Sequence, residues 1–195
     1  MRDYSKDSDK LYSVMKSHSF LESTSIGGET PTYIYSYEIE ATEIVEDMLN
    51  KLRKKLELDG IRLYEMDLFE AFTEFCDKEG YLDWMMEAEE GTSKEEFLEN
   101  IQGIAENMGF ISYVGGKIED EDYDIFVLSG VGKVYPLLRA HMLLENLQNY
   151  IKRKPFVLFF PGEYIKSLSG GIALSLFGKL PADNYYRAFD IIKEA

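Results

Sequence analysis

Hydrophobic and polar residues follow two periods along this chain, and the periods predict strands and helices in turn. The aromatic and β-branched stretch Tyr33–Ile39 predicts a strand, and Ile61–Met66 predicts a second strand. Between them, apolar residues recur at helical spacing up to Gly60, with charged side chains on the opposite face. A helix that ends at Gly80 follows the second strand, and its apolar face comprises Leu68, Phe69, Phe72 and Phe75.

The second half of the chain contains two continuous apolar runs, Ile125–Leu128 and Phe156–Phe160. Such runs are typical of strands that are buried on both faces of a parallel sheet. The residues between the two runs predict a helix from about Val134 to Ile151. Ile172–Phe177 predicts a further strand, which a hairpin would join to the next residues, and Asn184–Ile192 predicts a terminal helix.

Strands that alternate with helices predict an α/β fold with three layers: a mostly parallel central sheet of about five strands, flanked by helices. The length of 195 residues fits a single α/β domain, 1–195, and no repeat or linker indicates a second one. We expect the N-terminal segment 1–30 to be partly flexible. Residues 81–117 have the least regular pattern, and we interpret them as a helical insertion with a short strand at Phe110–Val114.

Charge and composition disfavour several classes of protein. The chain has 36 acidic and 21 basic residues, a net charge of −15, which disfavours direct binding to nucleic acid or to an anionic membrane. Cys76 is the only cysteine, so an intramolecular disulfide and a zinc site of the CxxC type are excluded. There is no signal-peptide core and no apolar run near the roughly 20 residues that span a bilayer. We therefore expect a cytoplasmic protein.

The segment from Ser129 to Val134 lies between a predicted strand and a predicted helix, which is the placement of a phosphate-binding loop. Gly130 and Gly132 would offer backbone N–H groups, and Lys133 would offer a cation. A complete P-loop needs glycine at position 127 and serine or threonine at position 134, and this chain has valine at both. A working nucleotide hydrolase is therefore disfavoured. Two interpretations of this segment stay open. One is a tight turn that requires glycine, and the other is a site that holds an anion or a peptide carboxylate at a helix N-terminus.

Two further turns combine polar and aromatic residues. Pro161 and Gly162 predict a turn at the end of a strand, which would place Glu163 and Tyr164 at the same sheet edge as Lys133. The third cluster lies near the C-terminus, where an arginine is available to pair with Glu163; its members are Asn184, Tyr185 and Arg187. Tyrosine and arginine are enriched in binding hot spots, so the three turns form a candidate surface for a partner or an anion.

The two histidines, His18 and His141, do not form a catalytic set with a nucleophile and an acid. His141 lies on the apolar face of its predicted helix and is interpreted as a packed side chain. The acidic run Glu119–Asp122 lacks the glycine and the alternating spacing of a calcium loop, and we interpret it as solvated surface. We therefore expect no catalytic residues, no metal and no cofactor.

Several segments together resemble the BrxB family, which belongs to the BREX bacteriophage-exclusion defence systems of bacteria. The segments are a strand followed by Gly130–Pro136, the turn Phe159–Tyr164, the stretch Asp183–Phe189 and the earlier Leu63–Phe69. Their order and spacing support the resemblance more than any single motif does. The resemblance extends over most of the chain from about residue 33 onward.

This resemblance implies that the chain acts beside other BREX proteins. These are a DNA adenine methyltransferase complex, a large ATPase (BrxC-like) and an alkaline-phosphatase-like protein (PglZ-like). Together they would block phage DNA replication while methylation marks host DNA. The family is catalogued as one of unknown function, so the resemblance implies a pathway and not a reaction.

Two hypotheses of different classes follow. The first is a non-catalytic adaptor that binds another BREX protein, PglZ-like or BrxC-like, through the three polar-aromatic turns. The second is a degenerate P-loop-like protein that binds a nucleotide or phosphate, with Lys133 as the anion contact. An enzyme with an unrecognised site ranks last.

Overall fold

The strands and helices alternate along the chain, as the apolar pattern predicts. A computed structural model describes residues 2–22, 32–138, 146–147, 149–151, 154–166, 172–180, 183–185 and 188–193. The helices are α1 (Tyr4–Met15), α2 (His18–Leu21), α3 (Thr42–Leu58), α4 (Leu68–Lys78), α5 (Tyr81–Glu89), α6 (Lys94–Ala105) and α7 (Met108–Asp120). The strands are β1 (Thr32–Tyr37), β2 (Leu63–Asp67), β3 (Ile125–Ser129), β4 (Phe156–Lys166), β5 (Ile172–Leu176), β6 (Asp183–Tyr185) and β7 (Ala188–Asp190).

Short polar side chains define where several of the helices begin. Oxygens of Asp3, Asp67, Ser93 and Asn107 accept hydrogen bonds from backbone amides in the first turns of α1, α4, α6 and α7. The free amides at a helix start would otherwise lack partners, and such a cap contributes about 1 kcal/mol to stability. Local sequence therefore determines these helix starts.

Five strands form a parallel sheet in the order β2-β3-β4-β1-β7. β4 lies at its centre, with Phe156 opposite Phe126 of β3 on one side and Thr32 of β1 on the other. The two continuous apolar runs are thus the neighbouring strands β3 and β4. This topology confirms the predicted α/β class with a mostly parallel sheet. The hairpin predicted for Ile172–Phe177 is also confirmed, because β5 pairs antiparallel with β6.

The sheet has a hydrophobic core on each face. Successive side chains of a strand point to opposite faces. Val127 of β3 and Val157 of β4 pack into the core that α1 and α3 complete. Phe126 and Leu158 of the same strands pack into the second core, to which α4 and α7 contribute. Both faces are thus covered by helices, which gives the predicted three layers.

The sequence predicts a partly flexible segment at residues 1–30 and a helical insertion at residues 81–117. Within the N-terminal segment 1–30, α1 and α2 place Leu11, Met15 and Phe20 in the core, and residues 23–31 lie outside the described part. Residues 81–117 contain α5, α6 and most of α7. The strand predicted at Phe110–Val114 is wrong. The apolar residues of α7 recur at helical spacing beyond that window and are buried together: Phe110, Ile111, Val114 and Ile118.

Two helix predictions are also wrong. Asn184–Ile192 contains strands β6 and β7 instead of a terminal helix, because β5 and β1 offer unpaired strand edges that local sequence cannot reveal. The helix predicted from Val134 does not begin there, since residues 131–137 form turns. Pro136, which has no backbone N–H, lies within these turns. Most of the remainder of that predicted helix, including His141, lies outside the described residues.

β4 does not end at Pro161 and Gly162, so the turn predicted there is wrong. The strand continues to Lys166, and its second half pairs antiparallel with β5. The close approach of the two strands explains the glycine. A β-carbon on Gly162 would overlap the carbonyl oxygen of Ser175 and lie 2.9 Å from the backbone nitrogen of Phe177.

We predict that Gly162→Ala destabilises the fold by about 1–3 kcal/mol, the range for overpacking a well-packed interior. Gly103→Ala is the matched control, because a β-carbon at this position of α6 meets nothing within 4 Å. Replacing a helical glycine by alanine should stabilise by about 0.5–1 kcal/mol. Urea unfolding of both variants measures the difference, and equal stabilities would contradict the assigned role of Gly162.

Candidate functional site

The carboxyl ends of β1, β2 and β3 meet at one edge of the sheet, where β4 continues into its antiparallel half. Asp67 ends β2 opposite Ser129 of β3, and Tyr37 ends β1 opposite Pro161 of β4. In α/β folds, ligands and partners are usually bound at this edge. Lys133 lies in the turns that follow β3, so the structure brings this predicted site residue to the same edge.

Lys133 forms two ion pairs at this edge. Its Nζ lies 2.8 Å from Oδ2 of Asp67 and 2.8 Å from Oε1 of Glu46, which belongs to α3. Partial burial of Lys133 opposes its charge, but the hydrogen bonds to Asp67 and Glu46 outweigh that effect and raise the pKa of Lys133. The ammonium group is therefore charged and is held between two carboxylates. An incoming phosphate would have to compete with both of them.

Asp67 accepts hydrogen bonds both from the start of α4 and from Lys133. Its Oδ1 accepts hydrogen bonds from the backbone nitrogens of Phe69 at 2.9 Å and Glu70 at 3.2 Å, while Oδ2 accepts from Lys133. The N-terminus of a helix is a favourable place for an anion. At α4 the protein's own carboxylate occupies that place.

The glycines of the predicted phosphate loop are explained by close packing. Gly130 has a φ of +71°, and a β-carbon there would overlap the carboxylate of Asp67. At Gly132 a β-carbon would lie 2.8 Å from Cγ of Pro161 and 3.1 Å from a ring carbon of Phe177. The backbone nitrogen of Lys133 donates to the carbonyl of Gly130 at 2.9 Å. This is the geometry of a tight turn, and no helix begins within residues 131–138.

A small cavity opens beside Lys133. Its volume is about 130 Å³, and its walls include Tyr37, Thr42, Glu46, Ser129 and Phe159. Pockets that bind cofactors or drug-sized ligands typically measure roughly 300–1,000 Å³. This cavity is therefore too small for a nucleotide in the described conformation.

The remaining polar side chains at this edge include hydroxyls, a carboxylate and a phenol. The hydroxyl of Ser129 donates to Oε1 of Glu65 at 2.8 Å, and burial raises the pKa of Glu65. Burial, with the nearby charge of Glu46 as a second cause, raises the pKa of Tyr37 to about 12. Among the described residues, no group of three or more His, Cys, Asp and Glu side chains could hold a metal ion.

The second predicted cluster divides into an exposed part and a structural part. Glu163 is exposed on β4 and adjoins Gly178, which has a φ of +64°. The hydroxyl of Tyr164 donates to the backbone oxygen of Ala188 at 3.1 Å, so this tyrosine ties the extension of β4 to β7. Gly162 is a packing residue within β4.

The third predicted cluster is only partly described. In the backbone register, Asn184 lies opposite Ala173 and Tyr185 lies opposite Ile172. The side chains of Asn184 and Tyr185, and the whole of Arg187, lie outside the described part of the chain. The pair between Arg187 and Glu163 therefore stays a prediction.

Sequence reasoning missed several residues at this edge. The sequence pattern places Glu46 on the solvated face of a helix, and it singles out Asp67 only as a member of the family motif Leu63–Phe69. An acidic residue at the end of a predicted strand was a signal that could have identified Asp67. Tyr135 was also missed; it is 45% exposed and its ring makes an edge contact with Phe177 at 5.7 Å between centroids.

Within the part of the chain that the structure describes, no helix is long and apolar enough to cross a membrane.

Comparison with known proteins gives a consistent result. The family model for BrxB, described as BREX protein BrxB, matches residues 64–191, which is more than half of the chain. A BREX protein BrxB of Bacillus cereus (strain H3081.97) is 30% identical over 98% of this chain and 99% of its own length. A BREX protein BrxB of Escherichia coli O9:H4 (strain HS) is 24% identical over 95% of this chain and 90% of its own length.

No solved structure is significantly similar to the chain. The assignment therefore depends on the sequence matches, which extend over nearly the full length of both relatives. Residues 64–191 include Asp67 and Ser129 at the ends of their strands and Lys133 in the turns after β3. The resemblance seen in the sequence motifs is confirmed, and the chain belongs to the BrxB family of BREX proteins.

Proposed function

We propose that this BREX component is a non-catalytic adaptor, which binds another BREX protein at the carboxyl edge of its sheet. The observation that supports the proposal most directly is the state of Lys133. This cation, the best candidate for anion contact in the sequence, is held between Asp67 and Glu46. We interpret a side chain fixed in this way as part of a binding surface.

The neighbouring groups support the same proposal. Glu65 bonds to Ser129, Asp67 caps α4, and the hydroxyl of Tyr37 has a pKa raised to about 12, so it stays protonated at neutral pH. Nucleophilic and acid–base catalysis need a base beside a nucleophile with matched pKa values. Among the described groups at this edge, Ser129 with Glu65 comes nearest to such a pair, but Ser129 is only 7% exposed, so its hydroxyl is buried and not presented to a substrate.

The proposed contact region is the strand-end surface, which we define as residues 130–135, Glu163 and residues 177–178. Tyr135 and Glu163 are exposed, and the edge contact between Tyr135 and Phe177 gives the region a fixed aromatic group. Rigid aromatic side chains that lie on a scaffold are typical anchors of protein interfaces. Close packing at two glycines holds the region together: Gly132 packs directly against Pro161, and Gly178 lies against the side chain of Glu163.

The partner we propose is a protein of the same defence system. The PglZ-like protein and the BrxC-like ATPase are the first candidates, and the methyltransferase complex is the third. Nucleic acid is disfavoured because the chain has a net charge of −15. In this role the chain would join proteins that perform the chemistry, and its own contribution would be binding.

We predict that the double variant Tyr135→Ala, Glu163→Arg weakens binding to the partner at least about tenfold, because it removes an aromatic anchor and reverses a charge. The chain is co-purified with each BREX protein of its own operon, and affinities are measured by calorimetry. Glu57→Arg is the matched control for the charge reversal. This exposed residue lies near the end of α3, which runs from the carboxyl edge of β1 to the amino edge of β2.

A double variant that binds every BREX partner as tightly as the unmodified chain would exclude the strand-end surface. If the unmodified chain binds none of these proteins, the adaptor function itself is wrong.

We also predict that ATP with magnesium leaves the melting temperature unchanged, since the cation at the turn is already paired and the cavity is too small. Specific binding at a concentration of 100 times Kd would stabilise the fold by about 2.7 kcal/mol. A clear shift that disappears in Lys133→Met would favour the nucleotide-binding alternative instead. Differential scanning fluorimetry of both proteins checks this outcome.

A further inference from the structure

Helix α5 is rich in apolar residues that are only partly buried: Tyr81, Leu82 and Met85 are half-buried against the core, whereas Trp84 and Met86 are exposed. None of its nine residues is buried, although six of them are apolar: Tyr81, Leu82, Trp84, Met85, Met86 and Ala88. The preceding helix α4 differs, since five of its eleven residues are buried. Part of the apolar surface of α5 therefore has no partner within the described part of the chain.

Two of these side chains are the most exposed. Met86 is 67% exposed and Trp84 is 38% exposed. The indole ring of Trp84 stacks on Phe97 of α6, with 6.4 Å between the ring centroids, so its orientation is fixed. Tryptophan and methionine are enriched in the cores of protein interfaces, and methionine adapts its shape to a partner.

Negative charge surrounds this apolar group. Residues 81–107 contain one lysine and eight acidic residues, a net charge of −7 that is close to half of the −15 of the whole chain. All eight are exposed: Asp83, Glu87, Glu89, Glu90, Glu95, Glu96, Glu99 and Glu106. Among the described residues, none of them forms an ion pair. Such a field attracts a positively charged protein surface.

We propose that the α5 face, defined as Trp84, Met86 and the surrounding acids of residues 81–107, is a docking site for a partner protein. The segment that fits it presents a large apolar side chain within a ring of lysine and arginine. A second copy of this chain does not fit, because it would bring the same negative charges into contact. Nucleic acid and anionic lipid are repelled for the same reason.

This inference rests on the proposed adaptor function and adds a second contact region to it. The α5 face belongs to the helical layer that contains α4 and α7. The strand-end surface is formed by the turns after β3, by Glu163 of β4 and by the turn after β5. An adaptor with two such regions could hold two proteins, or one protein at two places.

The sequence provides a direct probe of this face, because Trp84 is the only tryptophan of the chain. Incorporation of 5-fluorotryptophan gives the protein a single ¹⁹F resonance, and unlabelled PglZ-like or BrxC-like protein from the same operon is then added. We expect the resonance to shift or broaden when the partner covers the indole. Because charges attract the partner, raising the salt concentration from about 50 mM to about 500 mM should weaken the complex.

Two variants test the components of the face separately. Met86→Glu should weaken the complex at least about tenfold, since it places a charge at the centre of the apolar contact. Glu87→Lys with Glu90→Lys should weaken it and reduce its dependence on salt. Leu58→Glu is the matched control: Leu58 is 88% exposed and ends α3, in the helical layer on the other face of the sheet.

Thermal melting first establishes that each variant is folded. A complex that forms on a sizing column with an unchanged ¹⁹F resonance and full affinity in Met86→Glu would overturn this inference and leave the adaptor function intact. The absence of a complex with every BREX protein would overturn both.

Discussion

The arrangement of this protein depends on the hydrogen bonding of one strand. β4 pairs in parallel with β1 and β3 through its first half and antiparallel with β5 through its second half. Its parallel half is buried on both faces, and helices cover both sides. Gly162 permits the change of partner, because β5 approaches there too closely for any side chain. The two halves of β4 thus connect the central sheet to the antiparallel extension.

Because the strands are parallel, the polar residues at their carboxyl ends meet at one edge of the sheet. These side chains form hydrogen bonds and ion pairs with other groups of the protein. Asp67 bonds to the start of α4 and to Lys133, Lys133 bonds also to Glu46, and Ser129 bonds to Glu65. Each such bond lowers the energy of a partly buried polar group that would otherwise be unsatisfied. The same bonds fix the turns after β3. This is the edge at which we propose that a partner protein binds.

The strong negative charge of the chain affects which partners it can bind. A net charge of −15 on 195 residues disfavours direct contact with DNA, and the chain belongs to a family of BREX proteins. In the role that we propose, contact with DNA would be left to other BREX components, and the acidic surface would meet basic regions of those proteins. The concentration of negative charge in residues 81–107, beside exposed Trp84 and Met86, is consistent with such a division of roles.

The sequence by itself determined the class of fold, the two central strands and the main helices, since burial on one or both faces leaves a periodic apolar pattern in local sequence. It also determined the family, through motifs in the correct order. Only the tertiary structure decided that Lys133 pairs with Asp67, 66 residues away, and with Glu46. It also decided that Asn184–Ile192 contains strands and that Gly162 lies within β4. These features depend on which strand edges and which charged side chains become neighbours in the fold. The order of the strands in the sheet decides this, and the local periodicity of the sequence does not contain that order.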